Sequence, residues 1–154
     1  MRTLFQTIRQ QFLEGNDLVL VSIIASSGST PRGAGSHMLI GQNGRVAGTI
    51  GGGSVEYRAG LMALDILEKK ESCEHQFLLN RKDVENIGMI CGGDVTVFFQ
   101  YLDHNDPIIA DITETAEKFY EERRDFWLIC DLLTTSGMSL YSPACGLIGN
   151  ANVP

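Results

Sequence analysis

Apolar positions along this chain alternate between two spacings, and the changes of spacing mark out its elements. Leu4, Phe5, Ile8 and Phe12 recur three or four apart, the stripe of an amphipathic helix, and Gly15-Asn16 supplies a stop after about three turns. Leu18 to Ala25 is a continuous apolar run rich in β-branched residues, which predicts a strand buried on both faces and therefore central in its sheet. Ser26 to Ser36 is polar and glycine-rich and reads as a loop. His37 to Gly41 and Arg45 to Ile50 flank Gln42-Asn43-Gly44, a strong hairpin signal. Val55, Ala59, Met62, Ala63, Ile66 and Leu67 then share one face of a helix that continues to about Lys70. Beyond it, Glu74 to Leu79 predicts a strand, Arg81 to Gly88 a polar connection and Val95 to Leu102 an apolar, aromatic strand. Pro107 opens a helix with Ile109, Ile112, Ala116, Phe119 and Tyr120 on its apolar face, and Asp125 to Leu133 predicts another buried strand.

These elements predict an α/β fold, a mixed sheet flanked by helices, with an internal strand-loop-strand repeat. Sliding the chain on itself by 108 residues aligns Asp17 to Gln42 with Asp125 to Asn150 without a gap, with Asp17/Asp125, Leu20/Leu128, Leu39/Leu147, Ile40/Ile148 and Gly41/Gly149 identical. In that register the second copy reaches Asn150 before the partner strand of its hairpin. The expectation is therefore a main domain over 1–124, a second copy over 125–154 packed on it, and a chain that is a fragment of a longer protein.

Composition narrows the function classes. With 154 residues, 44% of them hydrophobic, the chain has enough apolar surface for one ordinary core. A formal net charge of -7 and a pI near 4.8 argue against nucleic acid or an anionic membrane as partner, so an anionic ligand must be held by local groups. No run approaches the ~20 apolar residues of a membrane span, and the start reads as a helix rather than a signal peptide, which predicts a cytoplasmic protein. Cys73, Cys91, Cys130 and Cys145 form no C-x-x-C pair and are read as reduced thiols.

Candidate chemistry concentrates in the glycine-rich stretches. Gly48 to Glu56, G-T-I-G-G-G-S-V-E, joins a β-type run to a helix, so N-H groups at the positive end of the helix dipole point out of a loop without side chains. A phosphate fits such a loop, although no lysine follows the glycines and neither dinucleotide nor P-loop fingerprint can be read across it. The Ser26 to Ser36 loop carries hydroxyl and amide donors around one basic side chain, Arg32, and an antiparallel hairpin brings Ser29 to Gly35 beside Gly51 to Ser54. Cys91, next to Gly92 and Gly93, has the flanking donors that a reactive thiolate needs.

Three stretches, Ser26 to Gly41, Gly48 to Glu56 and C-G-G-D-V-T-V-F from Cys91 to Phe98, together resemble the N-terminal domain of the XdhC/CoxI family. Those proteins are accessory factors for molybdenum hydroxylases such as xanthine dehydrogenase. The resemblance implies binding of molybdenum cofactor (molybdopterin) as cargo and its delivery to an apo molybdenum hydroxylase, with a sulfurtransferase and a homodimer as further partners. It assigns the phosphate to Gly51, Gly52, Gly53 and the Ser54 amide, with charge from Arg32, and places Ser29, Thr30, Gly33, Gly35, Gly92 and Gly93 around the cofactor. Cys91 would approach molybdenum or its sulfur, and Glu56 would bind a pterin amino group or favour the helix N-terminus. Family members often carry a cysteine directly after the three glycines, where this chain has Ser54, and commonly continue into a C-terminal Rossmann-like domain that is absent from these residues. Two other readings stay open: a cysteine-dependent transferase or hydrolase using Cys91, and a non-catalytic dimerisation module in which the glycines serve packing.

Overall fold

In the computed structural model, residues 1–28, 30, 32–78, 93–132 and 137–152 are described. Helix α1 (Arg2–Leu13) leads into β1 (Leu18–Gly28), the hairpin β2 (His37–Gly41) and β3 (Gly44–Gly48), helix α2 (Gly53–Lys69), β4 (Cys73–Leu78) and β5 (Gly93–Leu102). Helix α3 (Pro107–Glu121) follows, with Pro107 in its first turn and Asp106 capping it by accepting the Ile108 N-H at 2.8 Å. Three short strands, β6 (Trp127–Cys130), β7 (Met138–Ser142) and β8 (Gly146–Gly149), complete the described chain.

The first five strands form one sheet in the order β3-β2-β1-β5-β4, with β1 central as its apolar run predicts. Every pairing between described strands is antiparallel. The unbroken run of β1, a pattern common in parallel sheets, here reflects helices on both faces. Val19, Val21 and Ile23 pack with Met38 and Ile40 against Val55, Ala59, Ala63 and Ile66 of α2. Leu18 and Leu20 turn the other way, with Leu39, towards Leu4, Phe5 and Ile8 of α1 and Ile109, Ile112 and Ala116 of α3.

The second sheet, β6-β7-β8, adds Met138 and Leu140 to that same helix-lined core. Its hairpin overturns the ungapped register read from the sequence. Leu147 pairs with Tyr141 and Ile148 with Leu140, so Gly146–Gly149 is itself the returning strand of a hairpin whose first strand is Met138–Ser142. Identity at Leu39/Leu147 and Ile40/Ile148 matched two strands that differ in place, because short apolar strands ending in glycine look alike in sequence.

Asp17 ties α1's exit to the far end of the main sheet. Its carboxylate accepts hydrogen bonds from Tyr101 Oη at 2.6 Å, His104 N at 3.1 Å and His104 Nδ1 at 2.6 Å, and Lys70 Nζ lies 3.5 Å away. Asp103 stands close enough to make the group resemble a metal site. The Asp17 oxygens already have these partners, which makes it a structural knot. Burial alone would raise the Asp17 pKa, but the Tyr101 and His104 hydrogen bonds and the Lys70 charge outweigh it and bring the value down to about 2. A depressed folded-state value means that this stabilisation is present above the unfolded value of 3.8 and lost as pH falls towards 2. We expect Asp17→Asn to remove about 2 kcal/mol of stability at pH 7 and to flatten the acid limb of urea-denaturation stability against pH. An unchanged acid limb would show that the knot does not couple to folding.

Candidate functional site

Antiparallel pairing brings the glycine-bearing segments to one end of the main sheet. Gly28, at the exit of β1, pairs with Gly93 at the entry of β5, and Ser22 pairs with His37 at the entry of β2. Thr49, just past β3, donates its N-H to the His37 carbonyl at 2.9 Å. The Arg32 loop and the loop before α2 thus leave the sheet beside each other, while the Gly28–Gly93 pair lies six residues further along β1. Within the first, Gly35 N-H bonds to the Ile23 carbonyl at 2.9 Å and Ser36 N-H to the Gly33 carbonyl at 3.4 Å, folding Gly33–Ser36 back on β1.

In the loop before α2, Gly51, Gly52 and Gly53 have φ of +120°, +78° and +63°, a left-handed path that any side chain would strain. One residue organises this path. Glu56, in the first turn of α2, folds back so that Oε2 accepts the N-H groups of Ile50 and Gly52, each at 3.0 Å, and the Thr49 hydroxyl, while Oε1 meets Arg45 at 2.7 Å. Gly51 N-H bonds to Thr49 Oγ1 at 3.1 Å. Burial would raise the Glu56 pKa, yet the hydrogen bonds from Thr49, Gly52 and Ile50 and the Arg45 charge hold it below the ordinary carboxylate range. The loop therefore carries its own anion. The N-H groups of Gly53 and Ser54 lie in the first turn of α2, where an α-helix leaves its N-H groups without intrahelical partners. Ser54 does not cap α2, since the N-cap is Gly52 and no side chain makes a capping bond there.

Among the described residues, a cleft of about 370 Å³ lies against Arg45, Gly53 and Glu56, and two more border the Arg32 loop. One of about 390 Å³ is lined by Arg32, Gly35, His37, Gly48 and Thr49 together with Met1 and Thr3. The other, about 520 Å³, lies between the two sheets, walled by Phe98, Phe126, Trp127 and Cys130, with Ser22 and His37 as polar groups. His37 borders both. Its Nδ1 is 2.8 Å from Ser22 Oγ, and burial, aided by the nearby N-terminal charge, lowers its pKa and favours the neutral ring. The Ser22–His37 pair and the Glu56 clasp are absent from the sequence reading, although a lone hydroxyl inside the run of β1 was a signal of the first.

Ser29, Cys91 and Gly92 lie outside the described residues, as does the Arg81 to Gly88 connection, so the distance from Cys91 to an imidazole is not defined. Thr30 and Arg32 leave β1 in the first loop, and Gly93 opens β5. Among the other thiols, burial pushes Cys73 up and Cys130 to about 11, which keeps both protonated at neutral pH. No helix among the described residues is long and apolar enough to cross a membrane.

Comparison with known proteins places this architecture. The chain is 25% identical over 117 residues to the molybdenum cofactor insertion chaperone PaoD of Escherichia coli, covering 76% of this chain and 36% of that protein. It is 34% identical over 79 residues to the uncharacterized protein YqeB of Escherichia coli, covering 51% of this chain and 14% of that protein. The chain thus spans little more than a third of the longest-covered of these relatives. A crystal structure described as a xanthine dehydrogenase from Bacillus halodurans shares the fold, with a TM-score of 0.77 over 99% of this chain and 45% of the other, at 16% identity. Residues 12–80, a stretch that includes the Arg32 loop, the hairpin, the Glu56-tied loop and α2, match the XdhC and CoxI family.

Proposed function

We propose that this chain is an accessory protein of molybdenum hydroxylase maturation, which binds molybdenum cofactor as cargo and hands it to the apo-enzyme. The observation that carries the reading is the exit of the Arg32 loop and the glycine loop before α2 from one end of the sheet, in a chain similar to an insertion chaperone. Gly53 and Ser54 supply backbone N-H groups to the cofactor phosphate, and Arg32 supplies a positive charge that a chain of net charge -7 cannot provide at long range. Gly51 and Gly52 shape the loop, Glu56 holds it, and Thr30, Gly33, Gly35 and Gly93 border the cargo. Cys91 offers a soft ligand to molybdenum or its sulfur. The work is binding and release, so no bond of the cargo is broken.

The test is co-expression with the cofactor biosynthetic enzymes, followed by assay of the purified protein for molybdenum and pterin and for reconstitution of an apo molybdenum hydroxylase. The wild-type chain should retain both. Arg32→Ala should lower retention about tenfold, the value of one charge-assisted contact to phosphate. Cys91→Ser should retain the pterin but lose reconstitution. A wild-type protein free of pterin under these conditions would overturn the proposal.

A further inference from the structure

A unit of one helix and three strands occurs twice in the chain, and the copies match down to single hydrogen bonds. At the end of α1 the N-H groups of Glu14, Gly15 and Asn16 bond to the carbonyls of Gln10, Phe12 and Gln11; at the end of α3, 108 residues on, those of Glu122, Arg123 and Arg124 bond to Lys118, Tyr120 and Phe119. Past the first strand, Ile23 N-H bonds to the Ser36 carbonyl and Asp131 N-H to that of Gly137; past the third, Thr49 N-H bonds to His37 and Asn150 N-H to Met138. The spacing there has dropped to 101, because the connection between the first two strands is seven residues shorter in the second copy. The unit α1-β1-β2-β3 therefore recurs as α3-β6-β7-β8. The paired residues Ser22 and His37 have their counterparts in Cys130 and Met138, which pair across β6 and β7.

Ser22, His37 and Cys130 all line the cleft of about 520 Å³ between the sheets, so corresponding strand ends of the two units meet in one cavity. Both of its walls belong to the described chain. Phe98 stands on β5 beside Ser22, and two residues along that strand Gln100 donates its Nε2 N-H to the Gly137 carbonyl at 3.3 Å, fixing one sheet against the other. Where the second unit has two sulfur side chains, the first has a hydroxyl and an imidazole 2.8 Å apart. That contact uses Nδ1. Among the described residues no hydrogen bond reaches Nε2, which leaves one ring nitrogen of His37 for a ligand in a largely apolar cleft. Phe98, Phe126 and Trp127 add ring faces. Ring faces with one polar pair suit a flat heteroaromatic molecule that carries donors and acceptors on its edge. Gly35 and His37 also line the cleft that holds Arg32, so a guanidinium adjoins the slot for an anion attached to the ring. We propose that the cleft between the sheets seats the pterin ring of the cargo, that Ser22 and His37 bond its edge, and that its phosphate arm extends towards Arg32. This rests on the cofactor reading and gives the ring a seat of its own.

Trp127 is the single tryptophan of the chain and lines the cleft, so it reports occupancy. The probe is neopterin monophosphate, a soluble pterin with an anionic arm, titrated into the full chain purified without cofactor. It should quench Trp127 emission saturably, and the anisotropy of its own fluorescence should rise with the same midpoint. His37→Leu should weaken binding about tenfold, the value of a hydrogen bond lost from an apolar wall, and His37→Gln, which keeps a donor and an acceptor, should recover most of it. Arg32→Ala should weaken neopterin monophosphate but not neopterin, which lacks the anion. Ala34→Phe, at an exposed position that lines the cleft, should fill it and abolish binding while the denaturation midpoint of the protein stays unchanged. The proposal is overturned if the probe leaves Trp127 unquenched, or if His37→Leu and Ala34→Phe bind it as the wild-type chain does. Cofactor retained equally on co-expression by the wild type, His37→Leu and Ala34→Phe overturns the seat alone and leaves the cofactor reading standing. A wild-type chain that binds neither cofactor nor probe overturns both.

Discussion

Gly48→Ala should destabilise the protein by about 3 kcal/mol, one of the largest single-residue effects in the chain, through left-handed strain and a backbone collision together. A Cβ at Gly48 would stand 2.3 Å from the His37 carbonyl oxygen and 3.0 Å from the Met38 Cα, at a φ of +72°. Neither neighbour is a flexible side-chain tip. That carbonyl also accepts the Thr49 N-H, so moving it breaks the bond that joins the glycine loop to β2. Gly52 provides the comparison: its φ is +78°, yet a Cβ there meets nothing within 4 Å. Gly52→Ala should therefore cost only the conformational strain of its φ of 78° and ψ of -166°, about 2 kcal/mol. Equal chemical-denaturation midpoints for the two variants would show that the close approach at Gly48 relaxes freely.

The second large effect belongs to Glu56. Glu56→Ala should cost about 3 kcal/mol, because the Ile50 and Gly52 N-H groups lose their acceptor in a part-buried loop while the helix start keeps its unmet positive potential. Arg45 adds little to this sum, since half of its side chain already faces water. The depressed carboxyl pKa fixes the sign with pH: the stabilisation is present above the ordinary carboxylate range and disappears as acid protonates Glu56 through its lowered value. Glu56→Gln should keep one acceptor and lose that part of the acid limb. The cavity left by alanine is shaped for a carboxylate, so formate or acetate should restore stability to Glu56→Ala more than to the wild-type chain. Failure of both anions to do so, with the alanine variant as stable as wild type, would show that the N-H groups find other partners.

Most of the architecture was legible because its signals are local. The central place of β1 followed from Leu18–Ala25, the hairpin from Asn43-Gly44, and the start of α3 from Pro107. The way the strands pair was less legible, since a run apolar on both faces reports only that both are covered, and α2 on one side with α1 and α3 on the other does this as well as a parallel sheet. The second hairpin was misregistered because the connection leading into it, from β6 to β7, is seven residues shorter than that from β1 to β2, and an alignment without gaps shifts everything after it. At the candidate site, the glycine loop announced itself by composition, but its internal anion did not. Glu56 reads in sequence as one more acidic residue in a first helical turn, and only the folded path shows its oxygen facing Thr49, Ile50 and Gly52 at once.

The ion pair between Arg9 and Glu117, 3.1 Å apart, joins two positions separated by the same 108 residues as the paired helix caps. Each is the other's counterpart, so the contact falls where a two-fold axis between the helices would pass. Two separate, identical polypeptides meeting at such an axis must set arginine against arginine or glutamate against glutamate. Covalent fusion lets the two sides diverge and carry opposite charges. The seam between α1 and α3 is thus a place where joining two halves in one chain permits a complementarity that symmetry would forbid, and each half has lost the ability to pair with a replica of itself there on equal terms.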